Sequence, residues 1–128
     1  MFNVRCQNDS LNVKGDTRYR AYKFSLETIR FVECFPNKRI AWIITDQLLR
    51  SVTSIGANLV EAKAASSRKD FIKYYEISLK SANESMYWFC LARDSKTAEA
   101  DKVDLLLKEN KEICSMIASS LLKLKGKK

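Results

Sequence analysis

A chain of 128 residues, 46% of them hydrophobic, has the size of one ordinary domain and can bury a core without metal or disulfide staples. Only 3 glycines and 1 proline leave little material for the turns of an all-β fold, so a mostly helical chain is expected. The 23 basic against 15 acidic residues give a net charge of +8, which suits a polyanion such as RNA, DNA or an anionic membrane surface, and equally serves solubility alone.

Residues 1–16 carry no sustained apolar period and end in Lys14, Gly15 and Asp16, which marks them as a flexible lead to a bundle domain over 17–128. A first helix is predicted over about 17–35, where Ala21, Phe24, Thr28, Phe31 and Phe35 recur at helical spacing. Pro36 ends it, because the residue before a proline is pushed away from the α region. The second helix, about 38–65, carries Ile40, Ile44, Leu48, Val52, Ile55, Leu59 and Ala62 on one stripe. Roughly 100° round the same helix lies a small and polar stripe, Gln47, Ser51, Ser54, Asn58, Glu61 and Ala65, which suits the close approach of a neighbour. Gly56 marks either close packing or a slight kink.

Ser67, followed three residues later by Asp70, has the spacing of a capping box and opens a third helix over about 67–94. Its second half, Met86 to Ala92, is apolar all round, so it is covered on more than one side, by a loop or by a second subunit. Met86, Tyr87, Trp88 and Phe89 are accordingly the candidate oligomer interface. Thr97 with Glu99 and Asp101 opens a fourth helix over about 97–124, whose stripe is Val103, Leu106, Leu107, Asn110, Ile113, Ile117, Leu121 and Leu124. Four helices joined by short connections predict an all-α, antiparallel up-down-up-down four-helix bundle.

The chain has no histidine, which removes the commonest general base and metal ligand. Its glycines, Gly15, Gly56 and Gly126, are too scattered to form a phosphate-cradling loop. Cys6, Cys34, Cys90 and Cys114 are far apart and contain no C-x-x-C pair, so they are expected as buried free thiols in a reduced, cytoplasmic setting. No signal-peptide pattern and no run of about 18 apolar residues is present, so a membrane-spanning role is not expected. No metal, cofactor or catalytic residue is assigned. Glu61 and Glu84 are the acids nearest the apolar stripes, and with Arg50 and Asn58 they are expected to form a structural polar network rather than an acid/base pair.

Arg18, Arg20 and Lys23 at the start of the first helix, together with Lys123, Lys125, Lys127 and Lys128 at the end of the last, share one rim if those helices pack side by side. Such a rim would contact phosphates without reading bases, and its affinity would fall with salt.

The middle of the chain carries a more specific signal. Gln47 to Ser51, Thr53 to Ala62 with its Ser54-Ile55-Gly56-Ala57-Asn58 run and Glu61, Ser66 to Phe71, Ser81 to Glu84, Tyr87-Trp88 and Leu91 to Asp94 resemble the bacterial four-helix-bundle family linked to 23S rRNA intervening sequences. The resemblance spans about Phe24 to Leu124. It implies a bundle that assembles as a ring, commonly a pentamer, with a basic surface for nucleic acid or a reverse transcriptase. Related proteins act as the accessory variability determinant of diversity-generating retroelements. It also places Arg50, Asn58, Glu61 and Glu84 on the family's recurrent polar positions, in structural or interface roles. The expected function is therefore a non-catalytic homo-oligomer that binds RNA or DNA. The alternative is a protein-interaction scaffold or an accessory factor for a nucleic-acid enzyme.

Overall fold

Apolar side chains recurring every three or four residues produce four helices in the computed structural model, which describes residues 16–126. They are α1 (Thr17–Val32), α2 (Arg39–Lys63), α3 (Arg68–Asp94) and α4 (Ala100–Leu124). Residues 1–15 of the expected lead, with Cys6, and the expected phosphate contacts Lys127 and Lys128 lie outside the described residues.

The helix ends follow from identifiable local chemistry. Asp16 belongs to the fold rather than to the lead: its carboxylate accepts the Arg18 amide at 2.8 Å and caps α1. At the other end α1 stops at Val32, three residues before the expected Phe35. The Cys34 and Phe35 amides there bond back only three residues, to Phe31 and Val32, so the chain has already tightened into a turn ahead of Pro36. Ser67 caps α3 as its spacing suggested, accepting the Asp70 amide at 3.1 Å.

The α3 to α4 connection explains why α4 begins at Ala100 and not at Thr97. Lys96 sits in the left-handed region at φ 61°, the Lys96 amide bonds to the Arg93 carbonyl, and the Thr97 amide reaches the Ala92 carbonyl. Those two bonds make a Schellman stop, which folds Thr97 and Ala98 back over the end of α3. The Thr97 hydroxyl then pairs with Ser95 at 2.9 Å instead of capping α4.

Each helix packs on its two neighbours in the cyclic order α1, α2, α3, α4, and α2 with α3 is the most extensive pairing. Partners descend along α3 as they ascend along α2: Ser51 with Ser85, Ser54 with Ser81, and Ile55 with Ser78. The same descent relates α3 to α4, through Arg93 with Asp104, Asn83 with Cys114 and Glu76 with Lys125. The arrangement is the antiparallel up-down-up-down bundle.

The core runs the length of the bundle through Phe24, Phe31, Leu48, Val52, Ile55, Leu59, Phe89, Ile113 and Ile117. Phe89 lies within 5.9 Å of the Phe24 ring and 6.1 Å of Phe31. Gly56 resolves in favour of close packing, because a Cβ there would lie 3.3 Å from the Ala21 Cβ. Buried polar side chains are hydrogen-bonded within the bundle with one exception. Both amide atoms of the fully buried Asn110, midway along α4, have no partner among the described residues.

Two substitutions test this account of the fold. Lys96→Gly removes the cost of holding a side chain at positive φ, partly offset by a looser unfolded chain, so it should stabilise by about 0.5–1 kcal/mol. Asn110→Leu, which replaces an unpaired amide by an apolar group of the same heavy-atom branching, should stabilise by about 1–3 kcal/mol. Urea denaturation reads both, and an unchanged or lowered midpoint for either variant would contradict its premise.

Candidate nucleic-acid interface and polar seam

Charge is distributed unevenly along the bundle axis. The antiparallel order brings the start of α1, the end of α2, the start of α3 and the end of α4 to one end. Within about two turns of that end lie Arg18, Arg20 and Lys23 from α1, Lys63 from α2, Arg68, Lys69 and Lys73 from α3, and Lys123 and Lys125 from α4. Asp16, Glu61 and Asp70 oppose them in the same span, and Glu76, just beyond it on α3, pairs with Lys125. At the opposite end Arg30, Lys38, Arg39, Arg93, Lys96 and Lys102 are matched by Glu27, Glu33, Asp94, Glu99, Asp101 and Asp104. The excess positive charge therefore sits at one end.

The residues expected to form the basic rim divide into different roles. Arg18 is bidentate on Asp16, with its Nη2 at 2.7 Å from Oδ2, and so reinforces its own helix cap. Arg20 reaches across to α4, donating to Glu109 at 2.6 Å and to Glu112 at 2.8 Å. Those carboxylates raise the Arg20 pKa, and Arg20 in turn holds Glu112 below the usual carboxylate range. Arg20 is thus a clamp between α1 and α4 and not an available phosphate contact. Lys23 faces the groove between those helices. Lys123 is exposed without an ion pair among the described residues, while Lys125 lies 2.5 Å from Glu76. Arg68 donates to the Leu124 carbonyl, so α3 supplies the cap that ends α4.

Lys63, Arg68, Lys69 and Lys73 were not assigned to the rim from sequence, because they come from the middle of the chain. Their signal was present as the Arg68-Lys69 pair at the α2 to α3 connection, with Lys63 and Lys73 a few residues to either side. It acquires meaning only when that connection is placed beside both helical termini.

The expected polar network is real in part. The Arg50 guanidinium pairs with Glu84 across α2 and α3 and also donates to Gln47 at 2.9 Å, while the Trp88 indole N–H donates to Glu84 at 2.9 Å. Glu84 is not a buried carboxylate: its side chain keeps 36% exposure and Arg50 keeps 59%. A pair so wet contributes less than about 1 kcal/mol and fixes register more than it stabilises. Asn58 donates only within its own helix, to the Ser54 carbonyl at 2.8 Å and hydroxyl at 2.9 Å. Glu61 is exposed and makes no hydrogen bond among the described residues, so it falls outside the network.

What sequence reasoning missed is the hydroxyl seam beneath that pair. Ser85 donates to Ser51 at 2.9 Å, Ser81 to Ser54 at 2.9 Å, and Ser78 to the Ile55 carbonyl at 2.8 Å. Ser51, Ser78 and Ser85 are fully buried. Ser78, Ser81 and Ser85 repeat at spacings of three and four, which was the available signal on α3.

The candidate oligomer interface also divides. Phe89 is a correction: it is fully buried against Phe24 and Phe31 and cannot face a second subunit. Met86 and Trp88 are half-buried against the same core. Only Tyr87 points outward, at 61% exposure. The cysteines depart from expectation as well, since Cys34 is exposed and Cys90 and Cys114 are only half-buried. The Cys114 thiol lies 3.6 Å from the Asn83 Oδ1, and burial raises its pKa. No cluster of metal-ligating side chains occurs among the described residues, and no described helix is long and apolar enough to cross a membrane.

Against known proteins, residues 16–119 match the family model described as 23S rRNA-intervening sequence protein. Among solved structures, the chain is similar to a protein of unknown function from the S23 ribosomal protein family of Bacteroides thetaiotaomicron. The two are 30% identical with a TM-score of 0.78, over 83% of this chain and 98% of that one. No curated protein matches the chain.

The Asp16 cap yields a pH prediction. Hydrogen bonding to Arg18 is the largest influence on the Asp16 carboxyl and lowers its pKa, outweighing partial burial, which raises it. A group with a lowered folded pKa stabilises above its unfolded value, near 3.9, and loses that contribution as pH falls through the folded one. Asp16→Ala should therefore cost about 1 kcal/mol at pH 7. Asp16→Asn should keep most of the cap, and its remaining deficit should close as pH falls below about 4. Urea melts at pH 7 and pH 3 check this, and a deficit that widens in acid would contradict it.

Proposed function

The chain belongs to the 23S rRNA-intervening sequence protein family, and from that premise we propose that it is a non-catalytic oligomeric bundle that binds nucleic-acid phosphates through its basic end. The observation that carries this reading is the convergence of lysine and arginine from all four helices on one end, while the other end is neutral. A polarised cation cluster contacts a phosphate backbone without reading bases. The chain has no histidine, the commonest general base.

Assembly is proposed through the outer face of α2 and α3. Ile43 lies two turns before Arg50 on α2, and Ile77 lies two turns before Glu84 on α3, so both flank the Arg50 and Glu84 pair. Ile43, Ile77 and Tyr87 are 47%, 38% and 61% exposed, an unusual apolar content for a water-facing surface. A ring, with a pentamer as the family's expectation, would present several basic ends side by side and multiply weak phosphate contacts.

The test is binding of a single-stranded RNA and a duplex DNA, with solution mass measured in parallel. About five phosphate contacts would cost roughly 100-fold in single-strand affinity between about 50 and 200 mM salt. Lys63, Lys69 and Lys123 are exposed and make no ion pair among the described residues. Reversing all three to glutamate should abolish binding and leave the mass unchanged. Salt-insensitive binding, or binding that survives the triple reversal, would remove the proposal. A mass of 14.7 kDa, that of a single chain, would remove the oligomer.

A further inference from the structure

The groove between α1 and α4 begins at the basic end, where Arg20 and Lys23 line it, and runs from there along α1 as far as Cys34; the phosphate contacts tested above, Lys63, Lys69 and Lys123, lie outside it. Of the four neighbouring helix pairs, α1 and α4 pack least extensively, and a groove of about 980 Å³ opens between them. Its apolar lining is the buried Phe31 with Leu106 and the exposed Leu105 on the α4 side. Leu105 is 71% exposed, the most exposed large hydrophobic side chain among the described residues. Its walls carry Lys23 and Arg30 on α1 and Lys102 on α4, none of which makes an ion pair among the described residues.

We propose that this groove is a docking site for an acidic amphipathic helix of a partner protein. The shape points to a helix. α1 and α4 have their backbone groups bonded internally, so the groove offers no strand edge, and a partner that satisfies its own backbone is favoured. From Tyr19 to Cys34 the groove follows about 20 Å of α1, the length of roughly four helical turns. The charge points to an acidic partner, because an apolar seam flanked by glutamates would place leucines over Leu105 and Leu106 and carboxylates beside Lys23, Arg30 and Lys102.

Nucleic acid fits less well, since phosphates gain nothing from the apolar lining that a leucine seam would cover. A second copy of this chain also lacks the complement. Its own exposed apolar face, around Ile43 and Tyr87, is flanked by the mutually neutralised Arg50 and Glu84 and not by unpaired acids.

The experiment is fluorescence anisotropy with a labelled synthetic helix of about 20 residues, a leucine seam flanked by glutamates, beside the same peptide with lysine in place of glutamate. Saturable binding of the glutamate peptide alone is expected. Leu105→Glu should weaken it by at least about tenfold, the loss of one central anchor. The pair Lys23→Glu and Lys102→Glu should weaken the glutamate peptide and strengthen the lysine one. Circular dichroism checks that each variant folds, and the charge pair carries the test alone if Leu105→Glu does not. The triple reversal at the basic end should leave peptide binding intact, so failure there and failure here are told apart. No saturable binding, or loss of RNA affinity on Leu105→Glu, would overturn the proposal. So would a changed solution mass on that substitution, which would make the groove a contact between copies of the chain.

Discussion

Helices in a bundle approach no closer than the side chains between them allow, and the most extensively packed pair sets the frame for the others. In this chain α2 and α3 are that pair, joined by buried serines in place of leucines. Ser51, Ser78 and Ser85 occupy little volume, and each hydroxyl finds an acceptor at 2.8 to 3.1 Å. A buried hydroxyl without a partner would cost about 1–3 kcal/mol. Ser51 and Ser85 also have acceptors in their own helices, the Leu48 and Ser81 carbonyls, whereas the bond from Ser78 to the Ile55 carbonyl crosses between helices and holds only in one register. A shift by a single helical step would separate Ser85 from Ser51 and Ser81 from Ser54 together. The half-exposed Arg50 and Glu84 pair caps the same seam on its wet side, where it adds direction more than strength.

With that register fixed, the remaining helices close the square by other means. α1 meets α2 at the Gly56 and Ala21 crossing, where neither side chain holds the backbones apart. It meets α4 more loosely and relies on Arg20, whose guanidinium engages two carboxylates of the facing helix. The open groove follows from that looseness, since a single polar clamp at one end does not draw the rest of the two helices together. The ends are tied separately: Arg68 caps α4, and the Schellman stop at Lys96 aims α4 back along α3.

The same topology sorts the charge. A helix pair that runs up and down returns the chain to its starting end, so residues 63–73 join residues 16–23 and 118–126. Basic side chains that look dispersed along 128 residues become one pole. Arg18 and Arg20 lie within that pole but are neutralised by Asp16, Glu109 and Glu112, so its accessible charge comes mainly from lysines, Lys23 of α1 and those of α2, α3 and α4.

Much of this was legible in the residue order, because helix number, approximate bounds and inward faces are local properties. Apolar spacing, the Ser67 cap and Pro36 act over a few residues, and they gave four helices with ends close to those observed. The small and polar stripe of α2 likewise announced the close neighbour. What the order of residues left open was decided by contacts between distant segments. Phe89 and Tyr87 sit two positions apart in one apolar turn, and only the location of Phe24 and Phe31 makes one core and the other surface. Arg20 is a clamp and not a phosphate contact because its acceptor lies 89 residues away. Periodicity reveals which side of a helix is buried, but which partner meets a charge there depends on the register of the packed helices, and that exists only once they have packed.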